Sequence, residues 1–357
     1  VSFLLAFLGF ALLIILHEAG HFVAAKKVGM RVERFSLFFP PLIWRKKVGE
    51  TEYAVGSIPL GGYVKITGMN PHEEIPPEHA HRAYFRQPVW KRIVVIAAGP
   101  AVNIVLAFLI LWALFVSTGF YEPNTKVDQI EPGAPAAGVL RPGDRLIAVD
   151  GVTGSQQDLA GRIQTHRCPG DLEAGCRAAT PAEIVVQRGD RRIALKIAPV
   201  YDAQFKRMRV GFAFGQDHHD AGPLTAAELS GEALWNFTKG TVTTIAGIFE
   251  AEKRQEISGV VGSYEVTRQS IESDTKTALY VLAVISLSLG VINLFPFLPL
   301  DGGHIFWALA EKVRGKPIPF RVMEQAGFVG FALVIALFMI GLTNDIDRLT
   351  GRGFDVR

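Results

Sequence analysis

The first sixteen residues, 1–16, hold no charged group, and then His17, Glu18 and His21 arrive within five positions. A run this apolar belongs in lipid or a deep core, and ionisable groups set into it are costly unless they do something. Read as a helix, the run places His17 and His21 at i and i+4, on one face and one turn apart. Two neutral imidazoles at that separation can hold one divalent zinc ion, and Glu18 stands beside them, able to take a proton from water. An H-E-x-x-H spacing also arises by chance in helices. The apolar setting turns the reading toward a metal site.

Three more apolar segments join 1–28 as candidates to cross a bilayer: 93–116, 278–295 and 327–342. Each is at or near the ~20 residues a crossing helix needs, although Asn293 and Pro296 interrupt the end of the third. Hydrophobic residues make up 49% of the 357 and charged ones 20%, too apolar for an ordinary soluble enzyme. The net charge of +3 gives no sign of a nucleic-acid partner. The opening run lacks a basic leader and a small-residue cleavage site, so it reads as a retained transmembrane helix and not a signal peptide. Lys26, Lys27 and Arg31, then Lys91 and Arg92, then Lys312, Arg314, Lys316 and Arg321 border the spans. The positive-inside rule assigns these loops to the cytoplasm, which puts both termini and the long 118–277 stretch on the other side.

Between the first two spans, 35–69 reads as strands. The β-prone runs 51–55 and 62–66 flank Gly56, Ser57, Ile58, Pro59, Leu60 and Gly61, which suggests a hairpin with an apolar tip. Such a tip either dips into the membrane against the helices or belongs to a small sheet on its surface. The stretch 70–87 carries His72, His79 and His81. It reads as a solvated loop in preference to a second metal site. From 125 to 200 the composition is that of a soluble α/β module, with strands at 127–130, 145–149, 182–186 and 193–197 and a turn at Asp150-Gly151. Cys168 and Cys176 within it are either a small disulfide loop or two free thiols. From 224 to 275, Leu234, Phe237, Val242, Ile245 and Phe249 form an apolar stripe, as expected of helices lying on the membrane surface or of a soluble helical linker.

Two histidines leave a zinc site short of a third protein ligand. The third apolar segment runs into Asn293-Leu294-Phe295-Pro296-Phe297-Leu298-Pro299-Leu300-Asp301-Gly302-Gly303-His304. Prolines break the helical ladder and glycines admit unusual dihedrals, so the backbone here can turn and present Asp301 inward as that ligand. The plainer role for Asp301 is to cap the helix that follows. Asn293 can donate to a substrate carbonyl or to the oxyanion formed from it. His304 ranks below Asp301 as a ligand.

The pairing of His17-Glu18-Ala19-Gly20-His21 with Asn293-Leu294-Phe295-Pro296 and Leu300-Asp301-Gly302 resembles the site-2 protease family of intramembrane zinc metalloproteases, in particular its bacterial RseP type, the regulators of sigma-E proteolysis. The likeness extends to 49–53, 58–64 and 98–103, and 133–151 is similar to a bacterial PDZ domain. It departs at Leu37-Phe38-Phe39-Pro40, where the family has G-F-G-P, at Pro299, one place late, and in carrying one PDZ-like unit where enterobacterial members carry two. The resemblance implies a polytopic α-helical membrane protein with about four transmembrane helices, a membrane-associated β-hairpin and one α/β PDZ-like domain. Its parts are an N-terminal membrane half (1–124), the PDZ-like domain (125–200), a linker with membrane-surface helices (201–277) and a C-terminal membrane half (278–357). One zinc ion is expected on His17, His21 and Asp301, with Glu18 as the catalytic base. The expected partners are membrane lipids and single-span substrates already trimmed by another protease, such as anti-sigma factors or remnant signal peptides. The expected location is the bacterial inner membrane. On this reading the PDZ-like unit screens out bulky ectodomains or binds a peptide C-terminus, and the hairpin offers a strand edge to the substrate. A metal transporter has no need of Glu18, and an inert membrane scaffold has no need of the complete set.

Overall fold

The computed structural model describes residues 2–352 except 60, 71, 72, 171, 249, 251–253, 255, 256 and 258. Leu60, His72 and Phe249 therefore lie outside the described residues. The chain divides into two compact units, one made of Val1–Ser117 with Gly222–Arg357 and the other of Thr118–Ala221.

In the first unit, α1 (Ser2–Lys27) and α2 (Val89–Thr118) are long apolar helices on either side of a small sheet. Four helices among the described residues are long and apolar enough to cross a membrane, and they overlap all four expected segments. The sheet has strands β1 (Val32–Leu37), β2 (Phe39–Val48), β3 (Thr51–Ile58) and β4 (Tyr63–Ile66) in the order β2-β3-β1-β4. This corrects the expected hairpin, because β3 and β4 do not pair. β1 lies between them, parallel to β3 (Phe35↔Tyr53) and antiparallel to β4 (Phe35↔Val64). The true hairpin joins β2 to β3 around Gly49-Glu50, with Val48 opposite Thr51. The physical reason is satisfaction of backbone groups. β1 is flanked by core residues and needs a partner on both edges. Val32 and Ile66 pack with Ala25 and Met30 from the α1 end and with Val95 and Ile96 from α2.

The other long helices among the described residues of this unit are α4 (Pro223–Ala246), α5 (Val260–Ser273), α6 (Thr275–Asn293), α7 (Asp301–Arg314) and α8 (Phe320–Asp347). Leu234 and Phe237 of α4 pack on Ala107 and Leu111 of α2 and on Ala283, Leu287 and Val291 of α6. The helices of the 224–275 stretch are thus part of the helical unit, with Leu234 and Phe237 of the apolar stripe turned toward neighbouring helices. α5 is held to α8 at its N-terminus, where the buried Asp345 carboxylate accepts the backbone N–H groups of Gly259 (3.0 Å) and Gly262 (2.7 Å). A second clamp joins α2 to α7. Arg92, 3% exposed, donates to both carboxylate oxygens of Glu311 at 3.0 and 2.6 Å.

The second unit is a five-stranded antiparallel sheet in the order β11-β5-β6-β7-β8, from β5 (Phe120–Ile130), β6 (Arg145–Val149), β7 (Ala182–Arg188), β8 (Arg191–Ile197) and β11 (Phe212–His219). A small pair, β9 (Val200–Asp202) with β10 (Arg207–Arg209), and one helix, α3 (Gln156–Gln164), complete it. Ser155 and Asp158 cap α3 reciprocally. Leu159 and Ile163 from α3 and Leu146, Ile184 and Val186 from the sheet form its core. Where the sequence placed a module at 125–200, the compact unit runs wider at both ends, because β11 pairs with β5 along its whole length. Cys168 and Cys176 are joined as a disulfide.

Candidate metal centre

His17 and His21 project from the buried face of α1, each 6% exposed. Asp301 is the first residue of α7, and its side chain does not cap that helix. Its placement depends on the turn before it. A Cβ at Gly302 would collide with the carbonyl oxygens of Leu294 and Phe295, so only glycine lets 294–300 fold back over the first turn of α7.

The three ligand atoms form a triangle. His17 Nε2 and His21 Nε2 stand 3.3 Å apart, and each stands 3.3 Å from Asp301 Oδ2. The far side of each ring decides what these atoms can be. His17 Nδ1 lies 3.2 Å from Asn103 Oδ1, and His21 Nδ1 lies 2.9 Å from the Val95 carbonyl oxygen. Both partners are acceptors, so each Nδ1 carries the proton and each Nε2 turns a lone pair toward the carboxylate. Asp301 Oδ2 is itself buried without a hydrogen-bond donor. Three lone pairs facing one another in a buried site repel unless a cation lies among them. The centre of a triangle with 3.3 Å sides is about 1.9 Å from its corners, close to the ~2.0–2.1 Å that zinc takes to nitrogen and oxygen. His17, His21 and Asp301 are the group among the described residues able to hold a metal ion.

Glu18 follows His17 on α1 and faces the β3–β4 connection, where a Cβ at Gly62 would stand 2.8 Å from Glu18 Cγ. Of the expected hairpin-tip residues, Gly56, Ser57 and Ile58 end β3, while Pro59 and Gly61 lie in that connection. Asn293 closes α6, and its amide donates to the Leu289 carbonyl within its own helix at 2.9 Å. That bond takes one of the two N–H groups of the amide. The structure thus joins the H-E-x-x-H face to Asp301, with Gly62 against Glu18, and leaves Asn293 tied to its own helix.

The likeness at 98–103 gave no role to two residues that contribute here. Asn103, fully buried in α2, orients His17. Gly99, one turn before it, leaves room for the His21 ring, which any Cβ there would strike. The available signal was an uncharged amide inside an apolar span, four places after a glycine.

A family model described as peptidase family M50 matches residues 5–337. The relative all3971 from Nostoc sp. is 29% identical over 98% of this chain and 97% of its own. CPE1693 from Clostridium perfringens is 31% identical over 96% of this chain and 97% of its own. Zinc metalloprotease Rip1 of Mycobacterium bovis is 28% identical over 93% of each. Among solved structures, the PDZ domain of the SdrC-like protein Lin2157 from Listeria innocua matches 28% of this chain and 99% of its own at 19% identity and a TM-score of 0.22.

Proposed function

The chain belongs to peptidase family M50, and on that premise we propose how its residues divide the work of cutting a peptide bond within a membrane. It is a site-2 type zinc metalloprotease carried on multiple apolar helices. His17, His21 and Asp301 hold the zinc ion. The chemistry that ion supplies is Lewis acidity toward the scissile carbonyl and toward water. Glu18 accepts the proton of the attacking water and delivers it to the leaving nitrogen. Asn103 and the Val95 carbonyl keep the two imidazoles in the ligating tautomer. Asn293, through the amide N–H that Leu289 does not take, orients the substrate carbonyl or steadies the oxyanion.

A helical substrate hides its amides and must be extended to be cut. β4 is the edge strand whose preceding residue, Gly62, touches Glu18, so it is the edge on which an extended substrate adds next to the base. The segment Gly56, Ser57, Ile58, Pro59, Leu60 and Gly61 leads into that edge. The substrates are single-span proteins shortened beforehand, anti-sigma factors and remnant signal peptides among them. The 118–221 unit is the PDZ-like part, which binds a peptide C-terminus or excludes bulky ectodomains. Its disulfide suits an oxidising compartment, in keeping with an extracytoplasmic side for that unit and for both termini, in the bacterial inner membrane.

The observation that carries this reading is the triangle of three buried lone-pair atoms beside Glu18. Glu18→Gln keeps the ligand set and removes the base. Purified variant retains zinc by metal analysis, while cleavage of a single-span reporter falls by about 10²–10⁴-fold. Cleavage at the wild-type rate would defeat the assignment.

A further inference from the structure

β2 is the outer strand of its sheet and pairs only with β3. All of it but Leu42 is exposed, including Ile43 at 72% and Trp44 at 51%. Its sequence passes from Phe39-Pro40-Pro41-Leu42-Ile43-Trp44 to the basic triplet Arg45-Lys46-Lys47 before ending at Val48.

Three contacts fix how the sheet lies along α1. Next to the start of β2, the Phe38 ring stands 6.0 Å from that of Phe7. Near the basic end, Tyr53, the cross-strand partner of Lys46, has its ring 5.9 Å from Phe22. Just past the end of β2, Glu50 pairs with Lys26 at 2.9 Å. Phe7 and Lys26 are separated by about 28 Å of helix, nearly the ~30 Å of a bilayer's hydrocarbon. The apolar half of β2 therefore lies at the depth of the apolar middle of α1, and its basic triplet lies at the last turns of α1, between the levels of Phe22 and Lys26.

Among the described residues no carboxylate neutralises that triplet. Glu52, opposite Lys47, accepts instead from Arg34 at 2.7 Å. Unpaired cations beside an exposed tryptophan, at the end of an apolar stripe, complement a negatively charged bilayer surface. We propose that Trp44, Arg45, Lys46 and Lys47 form a docking site for the headgroups of anionic phospholipids, with the apolar half of β2 resting among their acyl chains. This rests on the membrane-spanning reading of the chain and is independent of its peptidase chemistry.

The test uses the full chain in mixed micelles of phosphatidylglycerol and phosphatidylcholine, counting retained lipids by native mass spectrometry. Each basic side chain at such a surface strengthens binding about fivefold. Lys46→Gln alone should then lower the preference for phosphatidylglycerol about fivefold. The triple variant Arg45→Gln, Lys46→Gln, Lys47→Gln should lower it about a hundredfold. An equal charge removed from β8, as Arg191→Gln, Arg192→Gln, Lys196→Gln, should leave the preference at the wild-type level. Thermal unfolding of each variant reports that it is folded, and the single substitution keeps the test decisive if the triple is not. Wild-type preference in the folded β2 variants, or an equal loss in the β8 control, overturns the proposal.

Discussion

Asn103 reaches the metal centre only through an imidazole, yet its effect there is measurable. Its Oδ1 is what keeps the proton of His17 on Nδ1, 3.2 Å away. Asn103→Leu keeps the volume and removes the acceptor, so zinc affinity should fall about 10–100-fold, read by competition with a chelator, while the fold is kept. At this scale legibility follows chemical cost. Two imidazoles and a carboxylate in apolar sequence are expensive enough to stand out, which is why His17, His21 and Asp301, which the structure brings together, were candidates from the sequence. An amide or a glycine costs little inside a helix, so within 98–103 nothing marked out what Asn103 and Gly99 do until the helices were brought together. Asn293 shows the converse. Its residue type suits an oxyanion, but the sequence does not show that its amide is held by Leu289.

Secondary elements carry the ligands, and their mutual fixation sets how well those ligands converge. Asp301 opens α7, and the same helix is tied to α2 by Arg92 and Glu311. Arg92→Ala leaves a partly buried carboxylate without its partner. It should destabilise the helical unit by about 3 kcal/mol, seen as a lower unfolding midpoint in detergent, and should reduce zinc retention with it. The four long apolar helices were legible because length and apolarity suffice to define them. Strand pairing was not. The runs 51–55 and 62–66 were visible as strands, but alternation within a strand does not name its neighbour. β1 took the place between them because its two edges both required partners. Within the 118–221 unit, Asp144 offers a pH test. Arg188 holds its carboxyl below the usual aspartate range through two 2.7 Å bonds, helped by the Arg141 backbone N–H and opposed by burial. A lowered native value means stability that is present above the ordinary aspartate pKa of about 4 and lost as pH falls through the native one. Asp144→Asn should cost about 2 kcal/mol at neutral pH and flatten that acid limb. Hydrogen exchange at the β6 and β7 amides of the full chain would report both.

For the whole molecule, the division of the chain explains what composition alone blurred. The 118–221 unit is inserted between α2 and α4, so the helical unit is discontinuous in sequence. A boundary drawn from composition at 125 and 200 cut through β5 and omitted β11, since paired edge strands look like linkers when read singly. The same discontinuity separates the two histidines from Asp301 by about 280 residues. A ribosome adding ~5–20 residues per second therefore delivers the H-E-x-x-H face to the bilayer tens of seconds before the aspartate that completes it. During that interval the nascent chain lacks one of the three groups that would hold the ion, so each copy acquires its centre only when α7 has been made.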